Sequence, residues 1–442
     1  MVNPRWHRRT SLIYEDFNLR LAPDGDDGFQ VHASFQEQRV SGPLALPPEL
    51  WLLGSRLEEA CNGPSRHLGL APDSNAGERA SPEELGGLLF QALLGGEVGG
   101  LFRSVQGAFE GDPGRALRLR LHFPSREKRA WRLQSLPWEL LYHAQDRRFF
   151  ALSCRMPLVR SLDTPRPLRV LPAGPPLRVL VAMANPPGTD LLDLPAERRK
   201  IEEDLSKVSG IEFVVLEQTT LRDLRLRLRG KPSFHIVHFM GHGVGFDEES
   251  GEGALLLDSP GGEVARLSAT GLTEMFEDLA APALVVLNAC ETALTSGGVD
   301  PIRSVAASLV VAGLPAVLAQ RTAIQDDAAL ILAEELYRRL AQDEPIEAAV
   351  AEARRALRLE RWGTTEWAIP ALFVRPAPGE VLPHPVEALV KETTPPPSSR
   401  EPAASEPPPA APQRKLSVRN KRVKEQWIVQ GDVHNHEGSE GE

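Results

Sequence analysis

Two short apolar runs, each stopping at a polar cluster, constrain this chain most. Residues 234–240 (FHIVHFM) and 283–289 (ALVVLNA) have the length and near-continuous hydrophobicity of strands buried on both faces of a parallel sheet. The first stops at Gly241-His242-Gly243, the second at Asn288-Ala289-Cys290-Glu291-Thr292. In an open α/β sheet the carboxyl ends of neighbouring strands border one crevice. His242 and Cys290 are therefore expected to face each other across it, as a cysteine nucleophile and its base would.

Composition excludes more than it selects. Of the 442 residues, 42% are hydrophobic and 25% charged, which is ordinary for a chain of two or three globular domains. A formal net charge of -10 gives no overall reason to expect nucleic-acid binding, which wants a basic face. Three cysteines, Cys61, Cys154 and Cys290, are too few for a disulfide framework or a Cys-rich zinc site. The first residues turn polar before an apolar core of signal-peptide length, and no apolar run reaches the roughly 20 residues of a membrane span. Residues 306–319 read instead as buried helix, turn and strand. The expectation is a cytoplasmic protein without membrane contact, where a reactive thiol survives.

Along the chain, 12–35 alternates as two strands around the turn at 23–27, and 116–123 (ALRLRLHF) alternates strictly as a half-buried strand. Helices are expected over 46–60, 81–94 (opened by Ser81-Pro82-Glu83-Glu84) and 98–109. Trp138 and Cys154 read as core, with Glu139 holding a neighbouring loop. A Pro-rich linker covers 163–176. From 177 strands and helices alternate: strands at 177–183, 212–217, 234–240, 283–289 and 316–320, helices at 194–208, 220–229, 301–312, 326–340 and 346–361, and a closing strand at 367–374. A hairpin at 254–262 and a helix opened by Ser268 lie between. This is the pattern of a parallel α/β sheet with right-handed crossovers. Beyond 375 the Pro-, Glu- and Ser-rich composition predicts a disordered tail, 377–442, ending in a basic stretch at 414–424 and the cluster Trp427-Ile428-Val429, which suits a tethered recognition peptide.

The chemistry available to the central stretch is nucleophilic. A neighbouring imidazole lowers a thiol's pKa and can protonate a leaving amine. Cys290 at a strand-to-helix turn would gain further thiolate stabilisation from helix N-terminal amides. The Gly243 and Cys290 amides are candidates for an oxyanion hole, each donor being worth about 3 kcal/mol in the transition state. No Asp or Asn is set to orient the imidazole, so a dyad is expected. His235 and His238, inside the strand, read as structural, with Gly241 breaking the register between His238 and His242. Zinc held by His238, His242 and Cys290 would lack a dependable fourth ligand and leave the glycines unexplained; no metal or cofactor is expected.

His242-Gly243 after an apolar strand, LVVLNACET around Cys290, EWAIPALFV at 366–374, and LPWELLY at 136–142 with FALS and PLVR after it together resemble the CHAT domain, a prokaryotic branch of the caspase, separase and gingipain cysteine peptidases. The resemblance spans roughly residues 10–376. It implies a caspase-like, mostly parallel sheet flanked by helices over 177–376, preceded by an α/β amino-terminal part, 1–162, in the position of a pseudo-caspase subdomain. It implies a peptidase with His242 as base and Cys290 as nucleophile. The stretch 320–330 (QRTAIQDDAAL) resembles the separase-like segment in which an acidic residue lines the S1 pocket, so Asp326, with Asp327 in reserve, is expected to select Arg or Lys at P1; helix capping is the plainer role for both.

Two features depart from relatives: Asn288-Ala289-Cys290 stands where caspases have Gln-Ala-Cys, as in the CHAT branch, and no 34-residue repeat array is visible. The resemblance further implies a protein substrate encoded nearby, an activating protein or ligand, and a role in antiviral defence. A catalytically silent scaffold that recruits partners through its tail is the alternative. Oligomeric state is not legible.

Overall fold

The computed structural model describes residues 12–26, 28–51, 81–124, 133–162, 176–189, 198–199, 202–203, 208–244, 253–276, 279, 281–290, 301–322 and 324–375. The expected linker, the tail, most of the helix expected over 194–208 and the part of the 46–60 helix after Trp51 lie outside them.

Strands β1 (Ile13–Asp24), β2 (Gly28–Phe35) and β3 (Gln38–Pro43) form an antiparallel meander. Only the first two are legible as strands, because β3 (QRVSGP) buries no residue and so carries no hydrophobic period. After α1 (Pro48–Trp51) comes α2 (Pro82–Leu93), which starts as its sequence predicts. Ser81 Oγ accepts from the Glu84 amide at 3.1 Å, the Glu84 carboxylate accepts from the Ser81 amide at 2.7 Å, and Pro82 needs no donor there. Then follow α3 (Gly96–Glu110), β4 (Arg115–Phe123), the small hairpin β5 (Tyr142–His143) and β6 (Arg148–Phe149), and β7 (Leu158–Leu162).

The second half runs β8 (Leu177–Met183), β9 (Ile211–Leu216), α4 (Leu221–Arg229), β10 (Ile236–Val244), β11 (Ala254–Leu257), β12 (Ala265–Ser268), α5 (Ala269–Glu274), β13 (Leu284–Cys290), α6 (Pro301–Val311), β14 (Ala316–Gln320), α7 (Asp326–Leu340), α8 (Ile346–Glu360) and β15 (Pro370–Val374). Thr220 and Ser268 cap α4 and α5 through their hydroxyls. The last strand starts later than its apolar run, because Glu366–Ala368 turn as a 3-10 helix that sets Trp367 edge-on to Phe149.

One mixed, mostly parallel sheet of thirteen strands joins both halves, in the order β12-β11-β10-β13-β14-β15-β7-β4-β1-β2-β3, with β8 and then β9 also extending from β10. The junction is the parallel pair β15 and β7, registered at Phe373 and Arg160. In the second half apolar clusters lie on both faces: Met240, Val286 and Leu318 pack with Leu336 and Tyr337 of α7 and Val350 of α8, while Phe239, Leu287 and Ala319 pack with Leu309 of α6. In the first half α2 and α3 lie against Phe17, Leu19, Leu119 and Leu121.

Strand β4 departs from its alternation. The polar positions Arg118 and Arg120 are buried along with the leucines, so the strand is covered on both sides. Their guanidiniums survive burial by pairing: Arg118 with Asp16 at 2.6 Å and with Glu347 of α8, Arg120 with Asp16 at 2.8 Å. Among the described residues no single helix is long and apolar enough to cross a membrane; the bent pair α2 and α3 passes that test only jointly, and both bury apolar residues in the core.

Candidate active site

β10 changes partner part-way along one edge. Residues Ile236 to Met240 pair in parallel with β8, and His242 to Val244 pair antiparallel with β11. β8 leaves the sheet at Ala184, whose amide donates to the Met240 carbonyl at 2.9 Å. The neighbour of β10 thus switches between Met240 and His242, at the carboxyl end of the strand, where an open α/β sheet places its crevice. On the other edge β13 runs parallel to β10 over its whole length, in the register Met240–Asn288, Gly241–Ala289, His242–Cys290. Paired positions lie about one interstrand spacing apart, roughly 4.8 Å. The two candidate residues are thus brought together at the carboxyl ends of adjacent strands. Cys290 is the last residue of β13, α6 begins at Pro301, and the turn expected to support a thiolate lies outside the described residues.

Gly241 does not break the strand, contrary to expectation; β10 runs through it, so His238, Met240 and His242 share one face. The reason for glycine is a close approach. A Cβ at 241 would stand 2.7 Å from the Ala184 carbonyl oxygen and 3.0 Å from Phe239 Cζ. At Gly243 a Cβ would meet nothing nearer than the Ala254 carbonyl oxygen at 3.5 Å, an ordinary contact. Packing among the described residues therefore requires glycine at 241 and does not require it at 243. Backbone groups alternate sides along a strand, and Met240 bonds on the β8 side, so the Gly243 amide faces the β13 side.

The other two histidines are occupied structurally. His235 Nδ1 accepts the Arg178 amide at 2.9 Å, tying the starts of β8 and β10. His238 is buried under α7 and shares a hydrogen bond of 2.8 Å with the Tyr337 hydroxyl. Burial pushes His238 from 6.5 to about 4, so the ring is neutral at physiological pH. His242 is also buried, at 2% exposure. Among the described residues no group of three His, Cys, Asp or Glu side chains converges as a metal site.

Of the described thiols, Cys154 cannot serve as a nucleophile. Burial, followed by its hydrogen bond to the Glu352 carboxylate at 3.0 Å, pushes it up to about 12. It stays a thiol, as its reading as a packing residue requires.

Asp326 and Asp327 open α7, six and seven residues after β14 ends at Gln320 beside β13. They differ in one respect. Asp327 is held by Arg361, which also binds Glu366 at 2.6 Å and Gln325. Asp326 is exposed and has no ion pair among the described residues. Sequence reasoning missed Gln320, which is buried at the end of β14 with its Oε1 unbonded among the described residues. Its one available signal was a polar residue closing an apolar strand in the same way as His242.

Glu139 does more than hold a loop. Its carboxylate binds the buried Arg160 guanidinium through two bonds of 2.9 and 2.7 Å, with Arg321, next to Gln320, at 3.8 Å. Burial alone would raise this carboxyl; Arg160, then Arg321 and Arg354, overcome it and hold it below the usual range. Arg160 also donates to the Leu136 carbonyl at 3.0 Å and Arg321 donates to that of Ser135. The LPWEL segment of the first half is thereby fastened against the end of β14, one strand beyond β13.

A search of curated proteins found no sequence match. Among solved structures the chain is similar to Saccharomyces cerevisiae separase in complex with securin, at 12% identity and a TM-score of 0.43, over 83% of this chain and 30% of that one. It is similar to the Arg-specific cysteine proteinase gingipain R, at 12% identity and a TM-score of 0.37, over 62% of this chain and 66% of that one. The chain thus spans under a third of the separase. The family model for the CHAT domain matches residues 114–375, more than half of the chain and the whole stretch from β4 to β15, so this protein belongs to the CHAT-domain family.

Proposed function

We propose that the chain is a cysteine endopeptidase with Cys290 as nucleophile and His242 as its base. The register of these two positions at the carboxyl ends of adjacent parallel strands carries the reading. The imidazole takes the thiol proton, the sulfur attacks the substrate carbonyl carbon, and the same proton passes to the leaving amine as the C–N bond breaks. A thioester acyl-enzyme results; water, deprotonated by His242, cleaves it to a free carboxylic acid and the thiol. The Gly243 and Cys290 amides would hold the oxyanion, and the absence of a packing need for glycine at 243 supports a substrate passing close there.

Asp326 would receive the positive charge of Arg or Lys at P1, a role favoured over Asp327 because Arg361 already neutralises the latter. Activation by a partner protein or ligand, a protein substrate encoded nearby and an effector role in antiviral defence complete the proposal and rest on the family resemblance.

The test is incubation of the chain with the proteins encoded beside it, wild type against Cys290→Ala, with cut sites read by mass spectrometry. Cysteine-dependent cuts after Arg or Lys are expected. Cuts that persist in Cys290→Ala would reject the nucleophile. If nothing is cut and a peptide electrophile with a basic P1 residue fails to label Cys290, the silent scaffold replaces the peptidase.

A further inference from the structure

The first half of the sheet has a second face opposite α2 and α3, covered at Arg118 and Arg120 of β4 and exposed at Arg20, His32 and Arg39. Positions alternate along its strands, so Phe17, Leu19, Val31, Leu119 and Leu121 enter the core while the intervening residues form the other surface. On that surface β4, β1, β2 and β3 enclose a cavity of about 430 Å³ lined by Arg20, Arg39, Arg120, His32 and His122 among others. No described residue lining it carries a carboxylate. In a chain with a net charge of -10, three guanidiniums and two imidazoles at one cavity are not the average surface.

The acids nearest Arg120 are shared with a second guanidinium. Asp16 and Glu347 both bind Arg118, and Arg120 shares only Asp16. Arg120 is 3% exposed, and its Nε–H has no acceptor among the described residues. Burial, the largest influence, and the charge of Arg118 both weaken its hold on the proton, against Asp16 and Glu347. A buried guanidinium that shares its acids with a second one is stabilised by further negative charge in the cavity beside it. His32 is oriented at the same surface by a 2.8 Å hydrogen bond between its Nδ1 and Ser41 Oγ.

We propose that this cavity binds a phosphate-bearing small molecule, with the exposed Arg20 and Arg39 gripping the phosphate oxygens, Arg120 adding positive charge from beneath, and His32 and His122 completing the donor set. Phosphate matches the planar fork of donors that Arg presents. A single-stranded nucleic acid would call for aromatic platforms on which bases stack, and the described lining contains no Phe, Tyr or Trp. The volume falls in the range of small-ligand sites. The site lies on β1 to β4, away from His242 and Cys290, and stands whether or not the chain is a peptidase.

The experiment is calorimetric titration of the full chain with inorganic pyrophosphate and, separately, with ATP at low ionic strength. Wild type is compared with Arg20→Glu/Arg39→Glu. Both arginines are exposed, so this variant keeps the fold, which its unfolding midpoint checks. Saturable binding of either probe, weakened by salt and reduced by about tenfold or more in the variant, is expected. ATP binding tighter than pyrophosphate assigns the site to nucleotides; equal binding assigns it to the phosphates alone. Absence of saturable binding by both probes, or binding that the double variant leaves unchanged, overturns the proposal.

Discussion

His242 and Cys290 are register partners on neighbouring parallel strands, although a hairpin and a helix separate them in the chain. Backbone pairing brings the positions within one interstrand spacing. On the proposed mechanism Cys290→Ala and His242→Ala are each expected to lower peptide cleavage by about 10³-fold or more, since a nucleophile and its base act as a unit. Far-UV circular dichroism of the two variants should match wild type. Cleavage within tenfold of wild type in either would remove that residue from the machinery.

The two glycines flanking His242 should separate stability from activity. Gly241→Ala places a methyl group 2.7 Å from a backbone carbonyl, which overpacks the strand at a cost of about 1–3 kcal/mol. Gly243→Ala meets only ordinary contacts and should unfold at nearly the wild-type urea midpoint while losing kcat. Equal stability losses in the pair would contradict the assignment.

His238 makes stability depend on acid. Above pH 6.5 the imidazole is neutral in folded and unfolded chains alike. Below it the unfolded chain takes up a proton that the buried ring refuses down to about pH 4, so this stability is lost across that window. The slope is at most about 1.4 kcal/mol per pH unit. His238→Gln should abolish this component. Urea unfolding of both proteins at pH 7 and pH 4.5 measures it, and a difference between them that does not change with pH would refute the cause.

Removing the Glu139 carboxylate leaves the Arg160 guanidinium buried without its charge partner. Glu139→Gln should cost about 3–5 kcal/mol at neutral pH. Because Glu139 is held below the usual carboxylate range, its contribution is present above that range and is lost as pH falls through its folded value. The wild-type and variant stabilities should therefore converge in acid.

Asp326→Asn should lower kcat/KM for Arg and Lys at P1 by about 10²-fold, with neutral P1 residues little affected. Asp327→Asn breaks an ion pair whose carboxylate is exposed and whose Arg361 keeps Glu366, and should change stability by no more than about 1 kcal/mol, with P1 preference retained. A reversed pattern of specificity would move the S1 role to Asp327.

Much of this protein is legible from neighbours in the chain. The capping box at Ser81 and Glu84, the Ser268 cap and the apolar runs of β8, β10, β13 and β14 depend on residues a few positions apart, and their reading needs no fold. The pairing of the β10 and β13 ends follows from one further rule about parallel sheets. The tertiary structure was needed wherever a residue's environment comes from far away. Arg118 and Arg120 alternate like residues of a solvated face, yet Asp16 and Glu347 arrive from opposite ends of the sequence to neutralise them. Gly241 looks like a break until the Ala184 carbonyl closes on it. Asp326 and Asp327 are chemically identical until Arg361 selects one. Caps and periodicity are short-range, whereas burial and charge pairing depend on which distant segments the sheet brings into contact.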